Sequence, residues 1–400
     1  MKRAVCAMAC LALAAGMWFG MASTSIAQQG QIDMQRAREL FQRSQRGEKL
    51  SPEDQAYLDR AKQLRQQQGG KAPGKGQPGR GKQAGNVPSA TTSTGLVPLT
   101  ELGTEKYKGE DGGLYGGGSN EPPSDFRAEV EKQIAKIRPL DASGKPSSDG
   151  KIVLLSIGMS NTTMEFSAFM KKTEADSKKS PSVVVVDGAQ GGKVASQWAR
   201  GPGDSTPGSP WPVLNARIKA AGITDQQVQA VWMKQAEASP GQRGAFPKHA
   251  QELADNITKT LQELHTKFPN LRVVYLSNRI YAGYATTPLN PEPYSYESSF
   301  ANRWVIQNQM KGDPKLAFDP DKGTVMAPAV VWGPYLWADG VKPRKGDGLV
   351  WNREDLRDND GTHPSDSGRE KVANLLLDFF QNNPLASSWY LAKGNLHAGR

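Results

Sequence analysis

Beyond residue 10 the chain contains no cysteine, because its only two are Cys6 and Cys10. That excludes structural disulfides, thiolate metal sites and a cysteine nucleophile from everything after the N-terminal segment. Histidine is scarce too: only His249, His265, His363 and His397 occur, and their spacing does not converge on a zinc site. No run after residue 27 is long and apolar enough to span a bilayer. The formal charge is +10, but it is uneven. Residues 28–100 carry twelve basic against six acidic side chains, and everything beyond carries 36 against 34. The surplus belongs to the N-terminal part, so it does not mark the main body as a specific nucleic-acid binder.

What cysteine there is lies in a segment with the form of a secretory signal. Lys2 and Arg3 precede AVCAMACLALAAGMWFGMA, and small residues end at Ala27. An uncleaved anchor is the alternative, since this stretch approaches spanning length. Cleavage would leave a chain with no transmembrane segment. Lipidation at Cys10 lacks the usual lead-in. An exported chain without disulfides fits the periplasm or exterior of a bacterium, which sets aside the sequons at Asn161 and Asn256.

Residues 28–70 read as a short helical segment. Its second helix has Ser51 as cap, Pro52 in the first position and Asp54 in the first turn, with Tyr57, Ala61 and Leu64 on one face. Residues 71–100 open with KAPGKGQPGRGKQAG and read as a flexible basic linker, a spacer or at most a weak contact for an anionic surface. Residues 101–150 read as a strap entering the main domain. Within it, GGLYGGGSNEPP lacks the strand and helix that a phosphate loop requires. The main domain covers 151–383, and 384–400 reads as a C-terminal tail.

From Lys151 the pattern becomes regular. KIVLLSIG, SVVVVDGA, VQAVWMKQA, LRVVYLSN and MAPAVVWGPYLW are short apolar runs rich in β-branched residues, separated by segments that can hold helices. PKHAQELADNITKTLQELHTKF is the clearest helix, with His249 and His265 expected on its surface. This alternation predicts a three-layer α/β/α sandwich around a mainly parallel five-stranded sheet, with ligands at the carboxyl ends of the strands.

The chemically distinctive residues fall at those ends. Ser160 follows the first run, and Thr162 with Glu165 has capping-box spacing behind it. Gly191 and Gly192 follow the second run and can bring backbone N–H groups close to a ligand. Gln235 follows the third, with Glu237 as a candidate supporting partner. Near the C-terminus, DGTHP sets Asp360 three residues before His363. A local turn lets the carboxylate accept from one imidazole nitrogen and leaves the other to take a proton from Ser160. Ser367 and Glu370 have capping-box spacing, and Val372, Leu375, Leu376, Phe379 and Phe380 form a stripe that would dock the next helix.

The ordered set GMSN, GG, QAE and DGTHP resembles the SGNH hydrolases, also called GDSL-like esterases, across 151–383. The resemblance implies a flavodoxin-like sheet, with Ser160 as nucleophile, His363 as base and Asp360 as its orienting acid. It implies an oxyanion hole from the Ser160 N–H, Gly191 or Gly192, and Gln235. Met159 stands where the family often has aspartate, and Gln235 where many members have asparagine. GxSN and Q-x-E look more like the sialate O-acetylesterase and acetylxylan esterase branches. Acyl transfer to water on an acylated small molecule or polysaccharide follows, with no metal or organic cofactor. Two alternatives stay open: an acyltransferase using the same triad, and a non-catalytic envelope or glycan-binding protein of the same fold. An acid-rich metal-dependent phosphoesterase is the weakest reading. Asn161, Trp198, Trp232 and Tyr281 are candidates for contacting substrate. With Tyr284, Tyr294, Tyr296 and Trp304, the aromatics could stack on a sugar ring, and a short acyl chain is expected.

Overall fold

The computed structural model describes residue 40, residues 50–69 and residues 90–392. The expected signal, most of the basic linker and residues 393–400 with His397 lie outside the described residues. Helix α1 (Pro52–Gly69) forms as the sequence indicates: Ser51 Oγ accepts the Asp54 N–H at 3.1 Å. It belongs to one unit, and the chain from Gln83 onward forms another.

That second unit is a three-layer α/β/α sandwich. Its strands are β1 (Ile152–Gly158), β2 (Val183–Asp187), β3 (Val228–Lys234), β4 (Val273–Ser277) and β5 (Ala329–Trp332). All pair in parallel in the order β2-β1-β3-β4-β5. The three inner strands are buried along their whole length because both their faces are covered, and they are mostly apolar. The order reverses at β1: the chain steps outward to β2, then back past β1 to β3. Right-handed crossovers therefore put α3 (Ser160–Glu174) on one face. They put α5 (Trp211–Ala220), α6 (Lys248–Lys267) and α7 (Tyr294–Met310) on the other. The short α4 (Ala195–Trp198) follows β2. Helix α8 (Asp366–Asn382) packs beside α3, where Phe169 stacks on Phe380 at 5.5 Å between ring centroids.

Several boundaries differ from the sequence reading. Residues 93–95, expected in the linker, are fixed by Asp339. Its carboxylate accepts from Ser93 Oγ, from the Thr94 N–H and hydroxyl, and from the Gly95 N–H. The strap contains a helix, α2 (Ser124–Ile134), with Phe126, Val130 and Ile134 buried. The expected tail begins with α9 (Pro384–Tyr390). Trp389 Nε1 donates to Tyr275 Oη, which in turn donates to the Leu385 carbonyl, so this segment completes the core. The aromatic-rich stretch from Tyr281 to Trp304 reads from sequence as loop-rich, but from Tyr294 onward it lies in α7 (Tyr294–Met310), where aromatic and serine content hid a buried helix. His249 is not on the surface: it is buried, with Nε2 2.7 Å from Glu297 Oε2, and His265 is half-buried.

One interaction joins α3 to the sheet where the unusual residues gather. Lys234 Nζ lies 2.6 and 2.5 Å from the two Glu165 oxygens, and both side chains are inaccessible to solvent. Burial pushes the Glu165 carboxyl up and pulls the Lys234 ammonium down, and the pair's mutual attraction opposes both. Removing one partner leaves an uncompensated charge in the interior. Lys234→Met is therefore expected to lower the unfolding free energy by about 3–5 kcal/mol in urea titration, and the double variant Lys234→Met/Glu165→Leu by clearly less. A single-variant loss below about 1 kcal/mol would mean that water reaches the pair.

Candidate active site

Strand β1 runs out at Gly158, and Ser160 is the first residue of α3. The first-turn N–H groups of a helix have no intrahelical acceptor, so the Ser160 hydroxyl sits beside unpaired donors. The helix starts three residues earlier than the Thr162–Glu165 spacing indicates, with Met159 as its N-cap. Thr162 Oγ1 instead accepts the Met159 N–H at 3.3 Å and donates to the Lys234 carbonyl at 2.8 Å. Glu165, freed from capping, makes the buried pair with Lys234.

The loop before α8 carries the acid and the imidazole. Asp360 Oδ1 accepts the N–H groups of Thr362 at 2.8 Å and His363 at 2.9 Å, and its Oδ2 lies 2.7 Å from His363 Nδ1. Burial alone would push the Asp360 carboxyl up. The two backbone donors and the imidazole outweigh it and hold the group below the ordinary carboxylate range. Donation from Nδ1–H to that carboxylate fixes the ring, and His363 Nε2 lies 2.8 Å from Ser160 Oγ. The sequence separation of 203 residues is closed by α8 docking on α3 and by Asn161, whose Nδ2 donates to the Thr362 carbonyl at 3.0 Å. At Gly361, φ is +59°, and a Cβ there would lie 1.9 Å from the Tyr284 carbonyl oxygen. Only glycine allows that approach. The cap of α8 is Ser365, which accepts the Gly368 N–H at 3.4 Å. Ser367, expected as the cap, donates to Asp355.

The glycine pair forms a tight turn in which the Lys193 N–H donates to the Gln190 carbonyl at 3.2 Å, with Gly192 at φ +75°. A Cβ added at Gly191 would lie 4.0 Å from Ser160 Cβ, which places the turn against the serine. Ser160, Asn161 and Gly192 border one cavity of about 60 Å³. Its remaining wall comes from Met159, Val194, Ala236–Ala238, Arg279, Leu289 and Asn290. Gln235 is buried at the end of β3, but it is not in that wall, and neither of its amide atoms has a hydrogen-bond partner. Glu237 does border the cavity. It accepts from Ser196 N at 2.7 Å, Ser196 Oγ at 2.9 Å and Asn256 Nδ2 at 3.1 Å, so it braces α4 and α6 rather than facing solvent. A hollow of about 800 Å³ lies at the C-terminal end of α7 and contains none of these residues.

The aromatic candidates are elsewhere. Trp198, Trp232 and Tyr281 are completely buried and do not reach the cavity. Trp198 Nε1 donates to the Gly158 carbonyl, Trp232 stacks on Phe166, and Tyr281 Oη donates to the Thr91 carbonyl. Their large apolar area was better used in the core than on a ligand face. Tyr284 and Tyr296 are buried as well.

Arg279 and Asn290 were not singled out from sequence. The available signal was position alone: Arg279 is the first charged residue after the buried strand β4, at the carboxyl edge of the sheet. Its Nη1 lies 3.6 Å from Met159 Sδ, and burial pulls the guanidinium down to about 10, so it remains charged at neutral pH.

No family model and no curated protein matches this chain. Among solved structures it is similar to a Bacteroides fragilis protein designated an acylhydrolase. The two are 14% identical over 64% of this chain and 97% of that one, with a TM-score of 0.33. It is similar to a Parabacteroides merdae protein designated a GDSL-like lipase, at 12% identity over 57% and 94% of the respective chains and a TM-score of 0.32. A gut microbial diltiazem-metabolizing enzyme is 14% identical over 57% of this chain and 46% of that one, with a TM-score of 0.31.

The two glycines of the turn make different demands. Gly192→Ala must adopt a left-handed conformation and is expected to cost about 1–2 kcal/mol in denaturant unfolding. Gly191→Ala meets only an ordinary contact and is expected to stay within about 0.5 kcal/mol of the parent. Equal losses at both positions would contradict the turn geometry.

Proposed function

We propose that this chain is an exported serine esterase that hydrolyses short-chain esters. The observation that carries the reading is the relay of Ser160 Oγ to His363 Nε2 at 2.8 Å and His363 Nδ1 to Asp360 Oδ2 at 2.7 Å. In this reading Ser160 attacks an ester carbonyl as its proton passes to His363 Nε2. Asp360 keeps the imidazole in the tautomer that can accept there and stabilises the imidazolium that forms. The tetrahedral oxyanion is met by the Ser160 N–H and a backbone N–H of the Gly191–Gly192 turn, each such donor being worth about 3–4 kcal/mol. His363 then returns the proton to the leaving alcohol and activates water against the acyl-enzyme. Gln235 would join the oxyanion hole only by turning its unpartnered amide towards Ser160.

A cavity of about 60 Å³ beside the serine supports a small acyl group such as acetyl. The carbohydrate reading is supported by the GMSN and QAE motif style. It loses the support of aromatic stacking, because Trp198, Trp232 and Tyr281 are core residues. The N-terminal segment supports export.

Two measurements test the reading. A fluorophosphonate probe is expected to label the parent at Ser160 and to leave Ser160→Ala unlabelled and inactive, with an unchanged melting temperature. Asp360→Asn is expected to retain the fold and lose about 10⁴-fold in kcat. Labelling of another serine, or full activity in Ser160→Ala, overturns the assignment. Across 4-nitrophenyl esters, acetyl is expected to be turned over fastest and the rate to fall through butyryl to octanoyl. Each methylene changes discrimination by about 1–3 kcal/mol, so the trend is read over several lengths. A rate rising to dodecanoyl would contradict the short-chain assignment.

A further inference from the structure

Arg279 differs from the other buried arginines. Arg303 pairs with Glu110 and Asp111, and Arg344 pairs with Asp347. Arg279 is 2% exposed, and among the described residues it has no carboxylate within 4.0 Å and no hydrogen-bond partner for its Nε and Nη2. Its one polar contact, from Nη1 to the Met159 sulfur, is with a weak acceptor. Three carboxylates lie near enough for their charge to act on it: Glu165, Glu292 and Asp360. Each is engaged elsewhere. Glu165 holds Lys234 with both oxygens. Glu292 accepts from Trp337 Nε1 and from the N–H groups of Ala282 and Tyr296. Asp360 accepts from His363 and Thr362. A buried guanidinium without a partner is costly, and a planar fork of donors is the preferred shape for a carboxylate.

Its position says where that carboxylate would come from. Arg279 borders the same small cavity as Ser160, so a group that meets it there belongs to whatever is bound at the serine. Two further atoms of that wall are also buried and unsatisfied: Asn161 Oδ1 and Asn290 Oδ1. The orientation of both amides is fixed, because Asn161 Nδ2 donates to the Thr362 carbonyl and Asn290 Nδ2 to the Glu237 carbonyl. These oxygens accept hydroxyl or N–H donors and repel an anion. The wall thus offers one cationic fork and two neutral acceptors.

Resting on the esterase reading, we propose that Arg279 selects esters that carry a carboxylate a few bonds from the scissile carbonyl, with hydroxyl or N–H donors of the same substrate facing Asn161 and Asn290. The carboxylate could belong to the acyl part or to the alcohol part, and the two are distinguished by substrate pairs. For the acyl side, monophenyl succinate is compared with its methyl ester. For the alcohol side, 2-acetoxybenzoate is compared with its methyl ester. All rates are corrected for spontaneous hydrolysis.

The parent is expected to favour the free carboxylate in one pair by about tenfold or more in kcat/KM, carried by KM. Arg279→Met is expected to remove that preference, losing at least about tenfold more on the carboxylate than on its methyl ester. Arg279→Lys, which keeps the charge without the fork, should recover part of it. Should Arg279→Met fail to fold, the lysine variant decides together with inhibition of the parent, by succinate and benzoate but not by their methyl esters. A parent that hydrolyses phenyl acetate yet prefers neither carboxylate overturns this inference and leaves the esterase reading standing. So does an equal loss on both members of a pair. A parent inactive on every ester overturns the esterase reading instead. The inference is then decided by titrating succinate into the parent and Arg279→Lys, where equal affinity or no binding overturns it.

Discussion

The buried pair of Lys234 and Glu165 is the constraint on which the site rests. It fixes the second turn of α3 against the end of β3, in a place where neither charge has water to fall back on. From that anchor follow the position of Ser160, the cap made by Thr162 on the Lys234 carbonyl, and the bed on which α8 docks. An apolar contact would hold the two elements together as firmly, but it would tolerate sliding. A short, two-pronged ion pair in a dry interior does not, because small displacements expose an unpaired charge. The serine is placed by electrostatics at its back and by Phe169 against Phe380 at its side.

The same charges shape the cavity. Lys234 is neutralised by Glu165, and Asp360 is committed to His363, so Arg279 remains without a carboxylate in contact among the described residues at the carboxyl edge of the sheet. The site therefore has two electrostatic halves. On one side a carboxylate and an imidazole are hydrogen-bonded in line with the Ser160 hydroxyl. On the other a guanidinium and two amide oxygens await partners that the protein itself does not provide. Glu237, expected as a solvated acid or a support, proves to be a brace that ties α4 and α6 to the cavity wall.

Much of this architecture was legible in the sequence. The five apolar runs became the five strands, because strands covered on both faces are predominantly apolar, with Gln229 and Lys234 of β3 as buried exceptions. Ser160, Asp360 and His363 were legible because each stands where a strand or helix ends, with a glycine or proline marking the turn. What was not legible depends on tertiary packing. Trp198, Trp232 and Tyr281 are as hydrophobic in a core as on a ligand face, so their composition could not assign them. Helix α7 was obscured because its buried serines and aromatics do not follow an amphipathic period. His249 carried no local sign of Glu297, 48 residues away. Arg279 could be recognised only once the carboxylates around it were seen to be occupied.

The turn that joins Asp360 to His363 has a consequence of its own. Acid and imidazole are three residues apart, and their contacts, together with the backbone donors of Thr362 and His363, are made within a single loop. The serine comes from the other end of the domain. The acid–imidazole contact is thus local to one loop, whereas Ser160 reaches His363 only through the long-range docking of α8 on α3. The two parts can therefore vary separately: changes within the loop act on the Asp360–His363 contact, and changes in the packing of α8 on α3 set how closely His363 is brought to Ser160.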